Sequence, residues 1–134
     1  MGKRADKAVE LRKQGYTCSQ AVACAFSDLI EMDEDQLYRA MEAFGGGIGG
    51  TGGTCGAVTG AVAIAGLVRS DGPGQVKSRV VTFGMAKELV KRFEEKNSSV
   101  ICRELKGAGT GKVLRDCAGC VHDAAEILEE LLGE

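Results

Sequence analysis

Apolar residues recur at helical spacing along almost the whole chain, and no stretch shows a convincing strand-like alternation of apolar and polar positions. The pattern therefore predicts an all-α fold. We expect about six or seven helices with these approximate bounds: Lys3 to Gln14, Cys18 to Ile30, a third that begins after Asp33 and ends at the glycine run, Cys55 to Arg69, Val76 to Lys96, Ser99 to Gly107, and a last one that begins between Lys112 and Cys117 and ends at Leu132. The chain has no linker long enough to divide it and no internal repeat, so residues 1–134 are predicted to form a single domain.

The fourth of these helices, at about 54–69, is predicted to lie at the centre of the bundle. It follows a glycine run at 45–53, and it is lined with small residues that permit close helix approach: Gly56, Ala57, Gly60, Ala61, Ala63 and Ala65. The run is expected to form a loop. It lacks the Lys-Ser/Thr ending of a phosphate-binding loop and follows a helix rather than a strand, so we do not expect a nucleotide site. The small-residue face and the loop would equally suit a homodimer interface.

Charge and composition exclude several kinds of function. The 17 Lys and Arg residues are interspersed with 19 Asp and Glu residues, and the formal net charge is −2, so we expect no nucleic-acid partner. The apolar stretch from Ala57 to Val68 is too short to span a bilayer. No export signal is visible, which predicts a reducing cytoplasmic location. In that compartment six cysteines indicate metal or redox chemistry rather than structural disulfides.

Helical phase separates the cysteines into two kinds. Cys18 shares the apolar face of its helix with Val22, whereas Cys24 is turned well away from that face. Cys117 lies in line with the apolar stripe of the last helix, and Cys120 is displaced toward the edge of that stripe. We therefore expect Cys18 and Cys117 to point inward, and Cys24 and Cys120 to lie outside a shared site.

Four cysteines follow residue types that cap helices. Thr17 precedes Cys18, Thr54 precedes Cys55, Asp116 precedes Cys117, and Ser99 stands three residues before Cys102. Thr17 and Gln20 also have the spacing of a capping box. Free N–H groups and the positive dipole end at a helix start favour a thiolate. Any one of these cysteines, taken alone, is more readily explained by packing than by chemistry, but the four together predict a shared site for thiolates or a cluster.

Two further interpretations of the cysteines are weak. Cys117 and Cys120 form a CxxC motif, but the thioredoxin-like form of that motif belongs to a fold with a sheet. Covalent haem needs a histidine immediately after the second cysteine, and Val121 stands there instead. The only histidine, His122, is expected on a polar, solvated face.

Four segments of the chain resemble the C-GCAxxG-C-C family of redox-active proteins. They are Cys18 within 16–22, Cys55 at the start of 55–60, Cys102 within 101–105, and Cys117 ahead of 121–126. The resemblance implies a small, mainly helical protein that is redox-active through Cys18, Cys55, Cys102 and Cys117. Cys24 and Cys120 lie outside the family's minimal set. Similar domains accompany cytochromes, which suggests iron–sulfur ligation, while selenocysteine-containing relatives suggest thiol exchange.

Three functions follow as alternatives. In the first, Cys18, Cys55, Cys102 and Cys117 hold a [2Fe–2S] or [4Fe–4S] cluster for electron transfer to a redox partner protein. Main-chain groups of the glycine segment would then lie against the sulfurs, at Gly52, Gly53, Thr54 and Gly56. In the second, the protein is a metal-free thiol–disulfide oxidoreductase or a peroxide-reducing enzyme with Cys55 as the reactive thiolate. In the third, the same four thiolates hold a structural zinc ion.

Overall fold

A computed structural model describes residues 2–134, and this part of the chain is all-α, which confirms the class predicted from the hydrophobic pattern. Seven helices lie in this range: α1 (Lys3–Lys13), α2 (Cys18–Cys24), α3 (Glu34–Glu42), α4 (Gly56–Arg69), α5 (Arg79–Asn97), α6 (Cys102–Lys106) and α7 (Cys117–Leu132). Short 3₁₀ turns occupy Ser27–Leu29 and Val76–Ser78. Across residues 2–134 we find no helix with the length and apolar character needed to cross a membrane.

Helix α2 ends at Cys24, earlier than the predicted end at Ile30, and all of its residues are buried. It is enclosed by α1, α3, α4 and α7, so it has no solvent-facing side. The expectation that Cys24 is peripheral is therefore wrong, since this residue is 0% exposed. Helical phase shows that Cys24 and Cys18 point in different directions, but other helices cover both directions.

Helix α4 packs against α2 through two of its glycines. A Cβ atom at Gly60 would lie 2.6 Å from the carbonyl oxygen of Ser19, and one at Gly56 would lie 2.5 Å from the Cys18 sulfur. No larger residue fits this contact, which explains the small residues of the predicted central helix. The contact also brings the first turn of α4 beside the first turn of α2. The homodimer remains a prediction, although these two glycines are used within the chain.

The glycine run forms a folded loop rather than an open one. It contains a helical turn, Gly45–Ile48, in which Gly46 and Gly47 have left-handed φ angles of 65° and 69°. The end of the loop pairs with the segment before α6, because Cys102 N–H donates to the Gly53 carbonyl at 2.6 Å and Cys55 N–H donates to the Val100 carbonyl at 2.7 Å. This pairing places Cys55 and Cys102 side by side in the fold.

Candidate functional site

Five of the six cysteines line one cleft, which has a volume of about 290 Å³. They are Cys18, Cys55, Cys102, Cys117 and Cys120, and all lie at the N-terminal ends of α2, α4, α6 and α7. The structure thus brings together the four cysteines that the sequence selected. It also corrects the exclusion of Cys120, which is 3% exposed and lies inside the cleft.

Cys18 and Cys117 form the first sulfur pair. Each is the first residue of its helix, and the preceding residue caps that helix as predicted. The Thr17 hydroxyl accepts from Gln20 N–H at 3.3 Å within a full capping box, and the Asp116 carboxylate accepts from Gly119 N–H at 2.8 Å. The two caps fix the sulfurs at neighbouring helix starts.

The Cys117 sulfur is an acidified thiol. A hydrogen bond from the Cys18 thiol lowers the pKa of Cys117 to about 5, against the opposing effect of burial. Arg12 on α1 contributes to the same shift, because its Nε–H donates to the Cys117 sulfur at 3.3 Å. The same sulfur–sulfur hydrogen bond, followed by burial, raises the pKa of Cys18. The pair therefore holds one proton, which resides on Cys18.

Cys55 and Cys120 form the second sulfur pair. A hydrogen bond from the Cys120 thiol lowers the pKa of Cys55 to about 7, while burial opposes the shift. The main-chain N–H groups of Ala57 and Val58 also face the Cys55 sulfur and favour its thiolate. The hydrogen bond to Cys55 raises the pKa of Cys120, and burial adds to that rise. The second pair repeats the thiol-and-thiolate arrangement of the first.

Two of the four predicted caps are wrong. Cys55 itself occupies the N-cap position of α4, and the residue before it, Thr54, instead forms an isolated antiparallel bridge with Ile101. The N-cap position of α6 likewise belongs to Ile101. Ser99 still lies at this turn, where its hydroxyl accepts from Ile101 N–H at 2.9 Å and donates to Glu104 at 2.6 Å.

A second cleft, of about 270 Å³, lies between the glycine loop and α6. It shares Gly46, Cys102 and Lys106 with the cysteine cleft, so Cys102 borders both. Of the glycine positions expected to line a cofactor, Gly52 borders this second cleft. The N–H groups of Gly52 and Gly53 donate to carbonyls within the loop, at 3.2 and 2.9 Å.

The glycine loop still supplies one N–H group to a sulfur. This group belongs to Gly46, which faces Cys18. A cofactor-binding role of Gly52, Gly53, Thr54 and Gly56 remains a prediction.

A buried carboxylate, that of Asp123, positions one of the residues that line the cysteine cleft. Asp123 on α7 accepts from Arg115, which lines the cleft, at 3.0 Å and from Asn97 at 3.2 Å, and it pairs with Lys96 at 3.2 Å. Burial alone would raise the pKa of Asp123, but the hydrogen bonds from Arg115 and Lys96 outweigh it and keep the pKa below its ordinary value. His122, Asp123 and Glu126 are close enough together to hold a cation, but Arg115 and Lys96 already neutralise the central carboxylate.

Three residues of the site were not predicted from the sequence: Arg12, Arg115 and Asp123. Helical phase gave no signal for Asp123, because this residue lies away from the apolar stripe of the last helix and would be expected to face solvent. Arg12 gave no signal either, since nothing in the local pattern of α1 connects it with a cysteine more than 100 residues further along the chain.

The fold and the site define a small, all-α protein with a cysteine-rich centre. A family model described as "Putative redox-active protein (C_GCAxxG_C_C)" matches residues 16–131, and the chain belongs to this family of redox-active proteins. The match confirms the resemblance seen in the sequence. Neither the curated proteins nor the solved structures contain a match to the chain. Arg12 lies outside the matched range although its side chain contacts Cys117.

Proposed function

We propose that this protein is an electron carrier that holds a [2Fe–2S] cluster through two cysteine pairs, Cys18 with Cys117 and Cys55 with Cys120. The observation that carries the proposal is the convergence of these four sulfurs in one cleft, where Cys18 lowers the pKa of Cys117 and Cys120 lowers the pKa of Cys55. A cluster of this type takes four thiolates, two on each iron, and supplies one-electron transfer when bound. This set of four ligands contains Cys120 in place of Cys102, the ligand predicted from the sequence.

The surroundings of the sulfurs fit a cluster with negatively charged ligands. Arg12 donates a hydrogen bond to the Cys117 sulfur, and Arg115 lines the same cleft. Main-chain N–H groups face the sulfurs of Cys18 and Cys55. Hydrogen bonds to the sulfurs and nearby positive charge are the features by which proteins stabilise such clusters and set their potential.

The spacing of the sulfurs favours a two-iron cluster over a structural zinc ion. With a Zn–S distance of about 2.3 Å, a tetrahedral site places its four sulfurs about 3.8 Å apart. Within residues 2–134 no three cysteine sulfurs lie within 4.8 Å of one another. Two separated pairs are the arrangement expected when each pair serves a different iron.

Anaerobic purification tests the proposal. Protein isolated or reconstituted without oxygen is expected to contain about two iron atoms and two sulfide ions per chain, with visible absorption that bleaches on reduction. The reduced protein is expected to give the EPR signal of a one-electron-reduced cluster. Cys24→Ser is the matched control, because Cys24 is a buried cysteine outside the cleft, and this variant should keep its iron. Colourless, metal-free protein after anaerobic reconstitution would contradict the proposal.

Thiol–disulfide exchange is the second candidate function, and the thiolate-with-thiol arrangement of each pair favours it. The Cys55 thiolate would attack one sulfur of a substrate disulfide, so that a mixed disulfide forms and one substrate thiolate leaves. Cys120, once deprotonated, would then attack the Cys55 sulfur and release the second thiolate. The substrate gains two electrons, and the enzyme is left with a Cys55–Cys120 disulfide.

The pH dependence of alkylation tests the acidified thiol directly in metal-free protein. A group with a lowered pKa is ionised above that pKa and loses its charge as the pH falls through it. With a pKa of about 5, Cys117 should react with iodoacetamide at pH 6 within about twofold of its rate at pH 8, whereas an ordinary thiol slows roughly tenfold per pH unit. Peptide mass mapping assigns the modified residue. A tenfold decrease per unit at Cys117 over this range would show that its thiol is not acidified.

Burial raises the pKa of Cys24 to about 11, so this residue should stay unmodified throughout and serves as the internal control.

A further inference from the structure

We propose that the two adjoining clefts form one groove that binds a small anionic molecule, one that carries carboxylate or phosphate groups. The proposal rests on the redox function proposed above and names the class of ligand that reaches the sulfur site. The groove is made by the glycine loop on one side and by α6 on the other, with Cys102 between them.

The dimensions of the groove suit a small molecule. The two clefts have volumes of about 290 and 270 Å³, and they share Gly46, Cys102 and Lys106 as a common boundary. Ligand pockets for small molecules begin at about 300 Å³. A ligand that spans the boundary would contact Cys102 directly and would lie beside both sulfur pairs.

The charge on the two walls is unequal. The glycine loop contributes no charge, because residues 43–54 contain no Asp, Glu, Lys or Arg. The opposite wall carries the exposed side chains of Arg103 and Lys106. The protein as a whole has a net charge of −2, so the positive charge at this groove is local.

The positive charges of α6 are exposed, and Lys106 also lies near enough to the Cys117 sulfur to lower the pKa of that thiol. Arg12 is occupied by the Cys117 sulfur, and Arg115 is paired with Asp123. Within residues 2–134, by contrast, Arg103 and Lys106 take part in no ion pair. Two unpaired cations beside an uncharged wall attract an anion, and a neutral ligand gains no comparable electrostatic binding energy from them.

Two disulfide reagents test the charge preference. One is 5,5′-dithiobis(2-nitrobenzoate), which carries two carboxylates, and the other is neutral 4,4′-dithiodipyridine. With either reagent a cysteine thiolate attacks the reagent disulfide, a mixed disulfide with the protein forms, and an aromatic thiolate leaves. The measured quantity is the ratio of the anionic rate to the neutral rate. This ratio cancels the number of free thiols, and it is compared between samples of equal iron content, while iron analysis tests the cluster separately.

The matched variants are two double substitutions that remove the same charge. Arg103→Gln with Lys106→Gln alters the groove, and Lys87→Gln with Lys91→Gln alters the exposed side of α5. We expect the groove variant to lower the rate ratio by at least about fivefold and the α5 variant to leave it within about 1.5-fold of the original. Lys106→Glu alone should lower the ratio as well, and high salt should reduce the ratio of the unmodified protein.

Two results would overturn the proposal. An equal fall in both double variants would show that only the overall charge matters, and an unchanged ratio in the groove variant would show that its cations do not select anions. The melting temperature of each variant shows whether it is folded. Because Arg103 and Lys106 are both exposed, their substitution is expected to change stability little.

Discussion

A single methyl group at Gly47 is expected to destabilise the protein by about 2–5 kcal/mol. Gly47 has a φ of +69°, a conformation that costs an alanine about 1–2 kcal/mol. Its added Cβ would also lie 2.6 Å from the Gly53 nitrogen and 2.7 Å from the Cys102 Cβ, so the loop would have to move. Such overpacking typically costs about 1–3 kcal/mol more. Urea denaturation of Gly47→Ala against the unmodified protein measures the sum.

Gly50→Ala is the matched control for this prediction. Gly50 has a similar φ of +81°, but nothing lies within 4 Å of its added Cβ. It should therefore show only the backbone cost of about 1–2 kcal/mol. Equal losses in the two variants would mean that the contact of the loop with Cys102 contributes little, and that the loop is held only by its backbone conformation.

The sequence predicts those parts of the fold that depend on local signals. The apolar period gives the helices, and the caps Thr17 and Asp116 mark the starts of α2 and α7 correctly, because a cap acts within its own turn. The site is largely a consequence of these starts. Cys18 and Cys117 follow the two caps directly, and the helix packing brings them together.

Local signals fail where a distant segment decides the structure. Thr54 is a good capping type, but the chain before α4 pairs with residues 100–102, so the N-cap falls on Cys55. Pairing between backbone groups that are far apart in sequence leaves no periodic trace in either segment. The same pairing positions Cys102 next to the glycine loop. The sequence predicted that these segments share a site, but it did not indicate the backbone pairing that joins them.

Helical phase has a similar limit for the cysteines. It compares Cys120 only with the apolar stripe of its own helix, and by that measure Cys120 lies at the edge. In the fold, α4 covers that edge, and Cys120 meets Cys55 there. Cys24 shows the same effect on α2, a helix short enough to be enclosed on every side. Phase identifies the direction of a side chain, but the packing decides what lies in that direction.

Cys120→Ser is expected to abolish iron binding, whereas Cys102→Ser is expected to preserve it. Cys120 completes the second sulfur pair, and loss of its thiolate would leave one iron with a single cysteine ligand. Cys102 borders the cleft but does not contribute to the hydrogen bonds that acidify Cys55 and Cys117. Iron and sulfide analysis after anaerobic reconstitution compares the two variants under identical conditions, with Cys24→Ser as the control.

The reverse result, iron lost from Cys102→Ser and kept by Cys120→Ser, would assign the ligands as the sequence first suggested. The two outcomes can be told apart because serine is close in size to cysteine, so packing changes little, while a hard hydroxyl replaces the soft thiolate that binds iron. Thermal melting adds an independent readout. A cluster that binds only the folded protein stabilises it, so each ligand variant should lose that added stability, while a variant of a non-ligand cysteine should retain it.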